Sequence, residues 1–157
     1  MAKGKDAYRR GVGVMLLNRD GKVFVGARID NTDEAWQMPQ GGIDKGEEPW
    51  ATALRELEEE TGIPPHLVEP VSGAAERLKY DLPKALRGKL WGGKYVGQDQ
   101  DWFLARFRGS DADVNIATKH PEFRDRKWIA PAELPELIVP FKRELYRQLL
   151  REFADYL

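Results

Sequence analysis

The sequence G-G-I-D-K-G-E-E-P-W-A-T-A-L-R-E-L-E-E-E-T-G-I, residues 41–63, decides the fold assignment of this chain. Within it, Pro49 suits the first turn of a helix and Gly62 suits the position that closes a helix C-terminus. The interval between them corresponds to about three and a half helical turns. One arc of this predicted helix is apolar and is expected to pack against a sheet, and it comprises Trp50, Ala53, Leu54 and Leu57.

A different arc of the same helix carries the carboxylates of Glu56, Glu59 and Glu60, because residues three and four apart share a face. Carboxylates this close disfavour one another's ionisation, and a helix built only for stability avoids them. A hard cation such as Mg²⁺ or Mn²⁺ removes the conflict, since it takes oxygen ligands and bridges carboxylates to substrate phosphates. The alternative is that the acidic run is a solvated helix surface, as most Glu-rich helices are.

The spacing of the whole stretch separates these two interpretations. Five residues lie between Gly41 and Glu47 and seven between Glu47 and Arg55-Glu56-Leu57, after which single residues separate Glu59-Glu60 and Gly62-Ile63. Every fixed position of the Nudix box is filled, and the chain therefore resembles the Nudix hydrolases. The resemblance implies an α/β chain with the Nudix fold, an α/β/α sandwich with a mixed β-sheet. It also implies hydrolysis of a nucleoside diphosphate linked to another group, with Mg²⁺ or Mn²⁺ held by the box glutamates.

Composition agrees with one folded unit, and we expect a single domain over residues 1–157. The chain is 41% hydrophobic and has a net charge of -1, so binding to a polynucleotide requires a local basic patch. It contains no cysteine, which excludes disulfides and thiolate metal sites. No segment has the apolar run of a signal peptide or a membrane span. We therefore expect a cytoplasmic protein that binds neither membranes nor double-stranded DNA.

Hydrophobic patterns outside the box predict a mixed sheet covered by helices. Strands are predicted at 11–17, 22–28, 68–76, 98–107 and 123–129, the first two joined by a hairpin turn at 18–21. Residues 79–97 are rich in Gly, Lys and Pro and are predicted to form a long loop on the substrate side. Apolar residues at helical spacing predict an amphipathic helix at 141–157, and they are Tyr146, Leu150, Phe153 and Leu157.

Other catalytic schemes have little material in this sequence. Ser72 and Ser110 are the only serines, which with the absence of cysteine disfavours a nucleophilic triad. The glycines at 41, 42 and 46 are not followed by the Lys-Ser/Thr pair of a P-loop. Metal-assisted phosphoryl chemistry remains, and it depends mainly on positioning and charge neutralisation.

Motifs outside the box narrow the resemblance. They include W-Q-M-P-Q-G-G-I-D at 36–44, Y-D-L-P at 80–83 and F-K-R at 141–143. Together they are similar to the RNA pyrophosphohydrolases and to the plant and proteobacterial diadenosine tetraphosphate hydrolases. The first group removes pyrophosphate from the 5′-triphosphate end of RNA, and the second splits diadenosine tetraphosphate into ATP and AMP. The implied partners are 5′-triphosphorylated RNA, dinucleoside polyphosphates, or both. A Nudix-fold module that binds nucleotides without cleaving them is a second class, but such a module typically lacks a box glutamate.

The resemblance and the helix geometry together assign catalytic residues. The metal ligands are expected to be Glu56, Glu59, Glu60, Gly41 and Glu122. Glu56 is the favoured general base, because a helix fixes its position better than a loop fixes Glu122. The alternative for Glu122 is an ordinary solvated loop acid. Arg55 is expected to brace the carboxylates by bidentate hydrogen bonding.

The resemblance also assigns a substrate-binding set, which comprises Arg9, Arg28, Gln40, Gly42, Tyr80, Phe141 and Lys142. Phe141 facing a guanidinium would sandwich a purine, while Lys142 and Arg9 approach phosphates as cations. The alternative is that Phe141 is a buried anchor of the last helix and that the cations are surface charges. Gly41 and Gly42 are expected to admit the polyphosphate because they lack side chains, with a plain turn as the alternative.

Overall fold

The structure is a computed structural model that describes residues 7–31 and 34–157. Residues 1–6 and 32–33, which the predicted single domain includes, lie outside the described residues. Seven strands and three helices follow one another as β1 Tyr8–Leu17, β2 Val23–Arg28, β3 Gln40–Gly42, α1 Pro49–Thr61, β4 Val68–Gly73, β5 Leu78–Asp81, β6 Gly97–Phe107, β7 Phe123–Ile129, α2 Leu134–Leu137 and α3 Arg143–Glu152.

The strands form one mixed sheet. Its main path runs β4-β6-β1-β2-β7, while β3 pairs with β1 and β5 pairs with β6. The central β1 and β6 run parallel, in register from Tyr8 opposite Gly97 to Leu17 opposite Arg106. The other pairings are antiparallel. The parallel pair fixes the middle of the sheet, and the short strands β3 and β5 extend it on the side where β1 begins.

Side chains on the two faces of the sheet build two separate cores, because successive residues of a strand point to opposite faces. On one face, Met15 and Leu17 of β1 pack with Trp102 of β6 and with α2 and α3. On the other face, Val14 and Leu16 of β1 pack with α1. The helices therefore lie on both sides of a mixed sheet, and the predicted α/β/α sandwich is confirmed. Within the described residues, the structure has no helix of the length and apolarity that a membrane crossing requires.

The acidic helix α1 begins and ends where the sequence predicts. Pro49 occupies the first turn, and the Glu48 carboxylate caps the helix by accepting hydrogen bonds from the backbone N–H groups of Trp50, at 2.6 Å, and Ala51, at 3.3 Å. Gly62 ends the helix with φ of 74°, and its N–H donates to the carbonyl of Glu58 at 2.8 Å. The apolar arc is buried in the core beneath the helix, as predicted.

Three sequence-based boundaries are wrong. Residues 79–97 are not wholly a loop, because Leu78–Asp81 forms β5 against β6. The strand predicted at 68–76 ends at Gly73. The helix predicted at 141–157 is regular only from Arg143 to Glu152, with tighter single turns at Pro140–Lys142 and Ala154–Tyr156. Short strands depend on their pairing partners more than on local pattern, which explains why β5 was missed.

Candidate active site

The site begins where β3 lies beside α1. Gly41 pairs with Val12 of β1, and a Cβ atom on Gly41 would collide with the carboxylate of Glu56. A Cβ atom on Gly42 would collide with the guanidinium of Arg9 in the same way. The two glycines were expected to leave space for a polyphosphate, but that space is occupied by side chains of the protein. Their lack of a side chain lets Glu56 and Arg9 lie directly against the backbone of β3.

Arg55 connects four acidic residues around the start of α1. Its Nε and a terminal nitrogen donate to the two carboxylate oxygens of Glu47, at 2.9 and 2.8 Å, in a bidentate pair. Its other terminal nitrogen lies 3.2 Å from Glu56 and 3.1 Å from Glu59. Asp44 is a more distant partner at 3.9 Å. These hydrogen bonds raise the pKa of Arg55 and give it the bracing geometry that the sequence predicts.

Glu56 lies half-way into the protein, with a side chain that is 17% exposed. Burial is the main reason that its pKa is raised to about 7, and the negative charges of Glu59 and Glu122 raise it further. Arg55 acts in the opposite direction and lowers it. A carboxylate with a pKa near neutrality suits a group that exchanges a proton during catalysis.

Glu60 is completely buried, although the sequence suggested that the acidic arc plays no part in packing. It is 1% exposed. Neither carboxylate oxygen makes a hydrogen bond of normal geometry within the described part of the chain, although the nearby backbone N–H of Gln40 favours the charged form. Burial raises the pKa of Glu60 well above its usual value, and the charges of Glu56 and Glu122 add to the effect. A buried carboxylate without a partner is costly, so its presence indicates a role beyond folding.

Glu122 joins the acids of α1 from a distant part of the sequence. It precedes β7, and its charge raises the pKa of both Glu56 and Glu60. One of its oxygens lies 3.7 Å from Arg28 at the end of β2. Arg28 also donates to both oxygens of Asp30, at 2.8 and 2.7 Å. The fold therefore brings the two predicted acid sites together, and it engages the Arg28 guanidinium with acids rather than with an aromatic ring.

The predicted metal ligands do not form a ready-made coordination shell. No group of three or more Asp, Glu, His or Cys side chains has metal-binding geometry among residues 7–31 and 34–157. The acids instead share the Arg55 guanidinium, or in the case of Glu60 have no partner. Glu56, Glu60 and Glu122 still raise one another's pKa, which shows that they are close enough to interact electrostatically.

Lys142 lies on the far side of the acids from Arg55, in the turn before α3. Its side chain is buried, and burial together with the charge of Arg28 lowers its pKa to about 7. Glu60 and Asp30 act in the opposite direction. The ammonium nitrogen lies 5.0 Å from the centre of the Tyr80 ring, a cation–π distance. Lys142 is therefore a buried cation close to the acids and not a surface charge.

Phe141 and Tyr80 form an aromatic pair beside Lys142. Their ring centres are 5.9 Å apart, and Phe141 is partly buried while Tyr80 is 7% exposed. The predicted sandwich of Phe141 with a guanidinium is not present, since the ring partner of Phe141 is Tyr80. Phe141 keeps an accessible portion, so both predicted roles for it remain open.

A buried chain of amides supports the Tyr80 hydroxyl from the sheet side. The Trp102 indole donates to Gln100 at 3.0 Å, and Gln100 donates to Gln40 at 3.0 Å and to Gln98 at 3.3 Å. Gln98 donates to the Tyr80 hydroxyl at 2.9 Å. Because indole only donates, it fixes the direction of the whole chain. The sequence named Gln40 and Tyr80 but not Gln100, and the signal for it was a polar residue within the apolar pattern of β6.

Arg9 marks the opposite end of the site. Its guanidinium lies against Gly42 and stands 5.3 Å from the centre of the Trp91 ring. Trp91 was not singled out from the sequence. It has a positive φ of 52°, which is uncommon for a residue with a bulky side chain. The predicted substrate-binding residues are thus split between two places, with Arg9 near β3 and the pair Phe141 and Lys142 near α3.

The fold and the carboxylate-bearing helix define the class of protein. Residues 7–149 match the NUDIX domain, and the chain belongs to this family as a Nudix hydrolase. It is 58% identical over 147 residues to an RNA pyrophosphohydrolase of Sphingopyxis alaskensis, an alignment that covers 94% of this chain and 93% of the relative. It is 57% identical over 150 residues to an RNA pyrophosphohydrolase of Roseobacter denitrificans, covering 96% and 94% of the two chains.

Solved structures support the same fold. An Ap4A hydrolase of C. elegans in a binary complex superimposes with a TM-score of 0.68 at 20% identity, covering 94% of this chain and 98% of the other. A dihydroneopterin triphosphate pyrophosphohydrolase of E. coli superimposes with a TM-score of 0.66 at 18% identity, covering 91% and 97%. At this level of identity the likeness concerns the fold alone.

Proposed function

We propose that this protein is a metal-dependent pyrophosphohydrolase whose main substrate is the 5′-triphosphate end of RNA. The observation that carries the proposal is the acidic cluster of Glu56, Glu60 and Glu122, in which Glu60 is buried without a hydrogen-bond partner within the described residues. A cluster that raises its own pKa values destabilises the protein, and a bound cation relieves the conflict. The names of the relatives at 57–58% identity support RNA as the substrate.

The donor set fits a divalent cation such as Mg²⁺ or Mn²⁺. Carboxylate oxygens are the ligands that these ions prefer, and the unpartnered oxygens of Glu60 supply buried lone pairs. Glu56, Glu59, Glu60 and Glu122 would hold the metal, with Gly41 beside them. When bound, the ion neutralises phosphate charge and lowers the pKa of water.

The protein's own residues then have separate tasks. Glu56 takes the proton from the attacking water, which suits its pKa of about 7 in the structure. Arg55 holds Glu47, Glu56 and Glu59 in place through its hydrogen bonds and ion pairs. Water attacks phosphorus, the anhydride bond breaks, and the products are RNA with a 5′-monophosphate and free pyrophosphate.

The remaining cations and aromatic rings would hold the substrate. Arg9 and Lys142 are placed to meet phosphate oxygens from the two ends of the site. Phe141 and Tyr80 offer aromatic surface for a base, and Arg28 and Gln40 lie between them and the acids. Proton transfer to or from Lys142 is easy near neutral pH, because its pKa is about 7.

A side-by-side assay tests the proposal. We expect the purified protein with Mg²⁺ or Mn²⁺ to release pyrophosphate from 5′-triphosphate RNA, and to act less efficiently on diadenosine tetraphosphate. Binding of both substrates without any product would instead show a nucleotide-binding module. Preference for diadenosine tetraphosphate would move the main activity to dinucleoside polyphosphates, the alternative that the sequence left open.

A further inference from the structure

Residues 82–97, here called the basic segment, carry a local charge that the overall composition conceals. Their sequence, L-P-K-A-L-R-G-K-L-W-G-G-K-Y-V-G, contains four cations and no acid, so its net charge is +4. The whole chain has a net charge of -1, which leaves -5 for all other residues. The segment is therefore an isolated positive region on a protein that is otherwise acidic.

The cations of the basic segment are available to a partner. Lys84, Lys89 and Lys94 are exposed, and the ion pairs found among the described residues include none of them. Arg87 differs, because its Nε donates to the carbonyl of Leu82 at 2.8 Å and shapes the segment itself. The three lysines thus contribute little to the fold and leave their charge in solvent.

The segment is anchored next to the candidate active site. The Leu82 N–H donates to the Val96 carbonyl at 2.7 Å, and the Val96 N–H donates to the Ala7 carbonyl at 2.9 Å, next to the start of β1. Trp91, in the middle of the segment, lies under the Arg9 guanidinium, which itself rests against Gly42. A substrate held at Arg9 therefore has the basic segment beside it.

We propose that the basic segment binds the phosphodiester backbone of the RNA chain that follows the 5′ end. This inference rests on the proposed function and names the part of the protein that distinguishes RNA from a dinucleotide. Lysines neutralise backbone phosphates without reading sequence, and half-buried aromatic residues such as Trp91 and Tyr95 commonly accompany them in single-strand sites. Diadenosine tetraphosphate has no chain beyond its second nucleoside, so it gains nothing from the segment.

A pair of matched variants tests this inference. The test variant Lys89→Gln/Lys94→Gln removes two charges beside Trp91, and the control variant Arg19→Gln/Lys22→Gln removes two exposed charges from the β1–β2 turn. The control positions lie at the other end of β1, about 30 Å along the strand from Tyr8. Substrates are a 5′-triphosphate trinucleotide, a 5′-triphosphate RNA of about 12 nucleotides, which spans a single-strand site, and diadenosine tetraphosphate.

We expect the test variant to lose about tenfold in kcat/KM on the longer RNA at low salt, and to weaken the salt dependence by a log–log slope of about 1.4, or 0.7 for each phosphate contact. Its activity on the trinucleotide and on diadenosine tetraphosphate should stay within about twofold of the original, and the control variant should match the original on all three. Equal losses on all three substrates, or equal effects of the two variants, would overturn the inference.

Binding of a 5′-hydroxyl RNA of the same length separates this inference from the proposed function. That RNA lacks the polyphosphate, so we expect it to bind through the segment and to bind the test variant more weakly. Failure of the unmodified protein to cleave any 5′-triphosphate RNA would refute the proposed function. Normal cleavage without any dependence on RNA length would refute only the role of the basic segment.

Discussion

At the scale of single residues, Glu60 shows a conflict between folding and function. Its carboxylate is 1% exposed and lacks a hydrogen-bond partner in the described structure, and its neighbours Glu56 and Glu122 are also acids. Leaving a buried polar group unsatisfied costs about 1–3 kcal/mol, and more for a charged group. The neighbouring Glu59 side chain is 56% exposed and carries no such cost.

This contrast gives a first prediction, in which Glu60→Gln and Glu59→Gln are compared. Both variants should lose most turnover at limiting metal, because each removes an anionic ligand at nearly constant volume. Only Glu60→Gln should raise the melting temperature in the presence of a chelator, by a few degrees at about pH 8. Near-normal turnover of both variants at limiting metal would contradict the assignment of these residues as ligands.

The sign of the pH effect follows from the raised pKa of Glu60. The folded protein keeps a proton on this group above the pH at which the unfolded chain releases it. Its stabilising contribution is full below the unfolded pKa and is lost as pH rises through the folded value. The advantage of Glu60→Gln should therefore grow from about pH 5 to pH 8. Lys142 is present in both proteins, so its own titration affects both melting curves.

A second prediction concerns the general base. We expect Glu56→Gln to abolish the acidic limb of the pH profile of kcat/KM, because the pKa of Glu56 in the folded protein is about 7. Glu122→Gln should lower activity but keep that limb at a changed position, since Glu122 acts on Glu56 through its charge. Profiles measured at saturating metal make the comparison. An unchanged acidic limb in Glu56→Gln would exclude it as the base.

At the scale of elements, the turn Pro140–Lys142 before α3 decides the role of Phe141. Phe141 is partly buried, packs against the core on that face and contacts Tyr80. A third prediction is that Phe141→Ala raises KM for RNA and for diadenosine tetraphosphate, since stacking on a base contributes roughly 1 to 3 kcal/mol. A residue that only anchors α3 would instead lower the melting temperature by several degrees with little change in KM.

Elements also differ in how far the sequence specified them. The helix α1 was predictable to within a residue, because Pro49, Gly62 and the apolar arc all constrain it locally. The strand β5 was not, because the four residues Leu78–Asp81 gain their extended form by pairing with β6. The burial of Glu60 was also unpredictable, since helical spacing gives the direction of a side chain but not what covers it.

At the scale of the whole molecule, the candidate site is a product of topology. Glu56 comes from α1, Arg28 from the end of β2, Glu122 from the approach to β7 and Lys142 from the turn before α3. The residue types of this set were predicted through the family resemblance. Their contacts, such as Arg28 with Glu122 at 3.7 Å, depend on the order β1-β2-β7 in the sheet. A pattern in the sequence carries no distances between segments this far apart.

The two cores of the sandwich should therefore contribute differently to activity. Leu57 is 1% exposed and packs α1 onto the sheet between Glu56 and Glu60, whereas Leu149 is fully buried under α3 on the opposite face. Replacing either leucine with alanine should cost about 2–5 kcal/mol of stability. In a protein of this size that corresponds to a loss of roughly 2–4 °C in Tm for each kcal/mol.

The last prediction is that only Leu57→Ala also lowers turnover. Removing its side chain lets α1 shift against the sheet, and a displacement of about 1 Å at a catalytic group can cost up to 100-fold in rate. We expect at least tenfold in kcat for Leu57→Ala and less than about twofold for Leu149→Ala, because the second cavity opens on the face away from the acids. Both variants are assayed well below their melting temperatures, with circular dichroism to confirm folding. Equal losses in kcat would show that the sheet transmits strain between its faces and does not isolate the site from the second core.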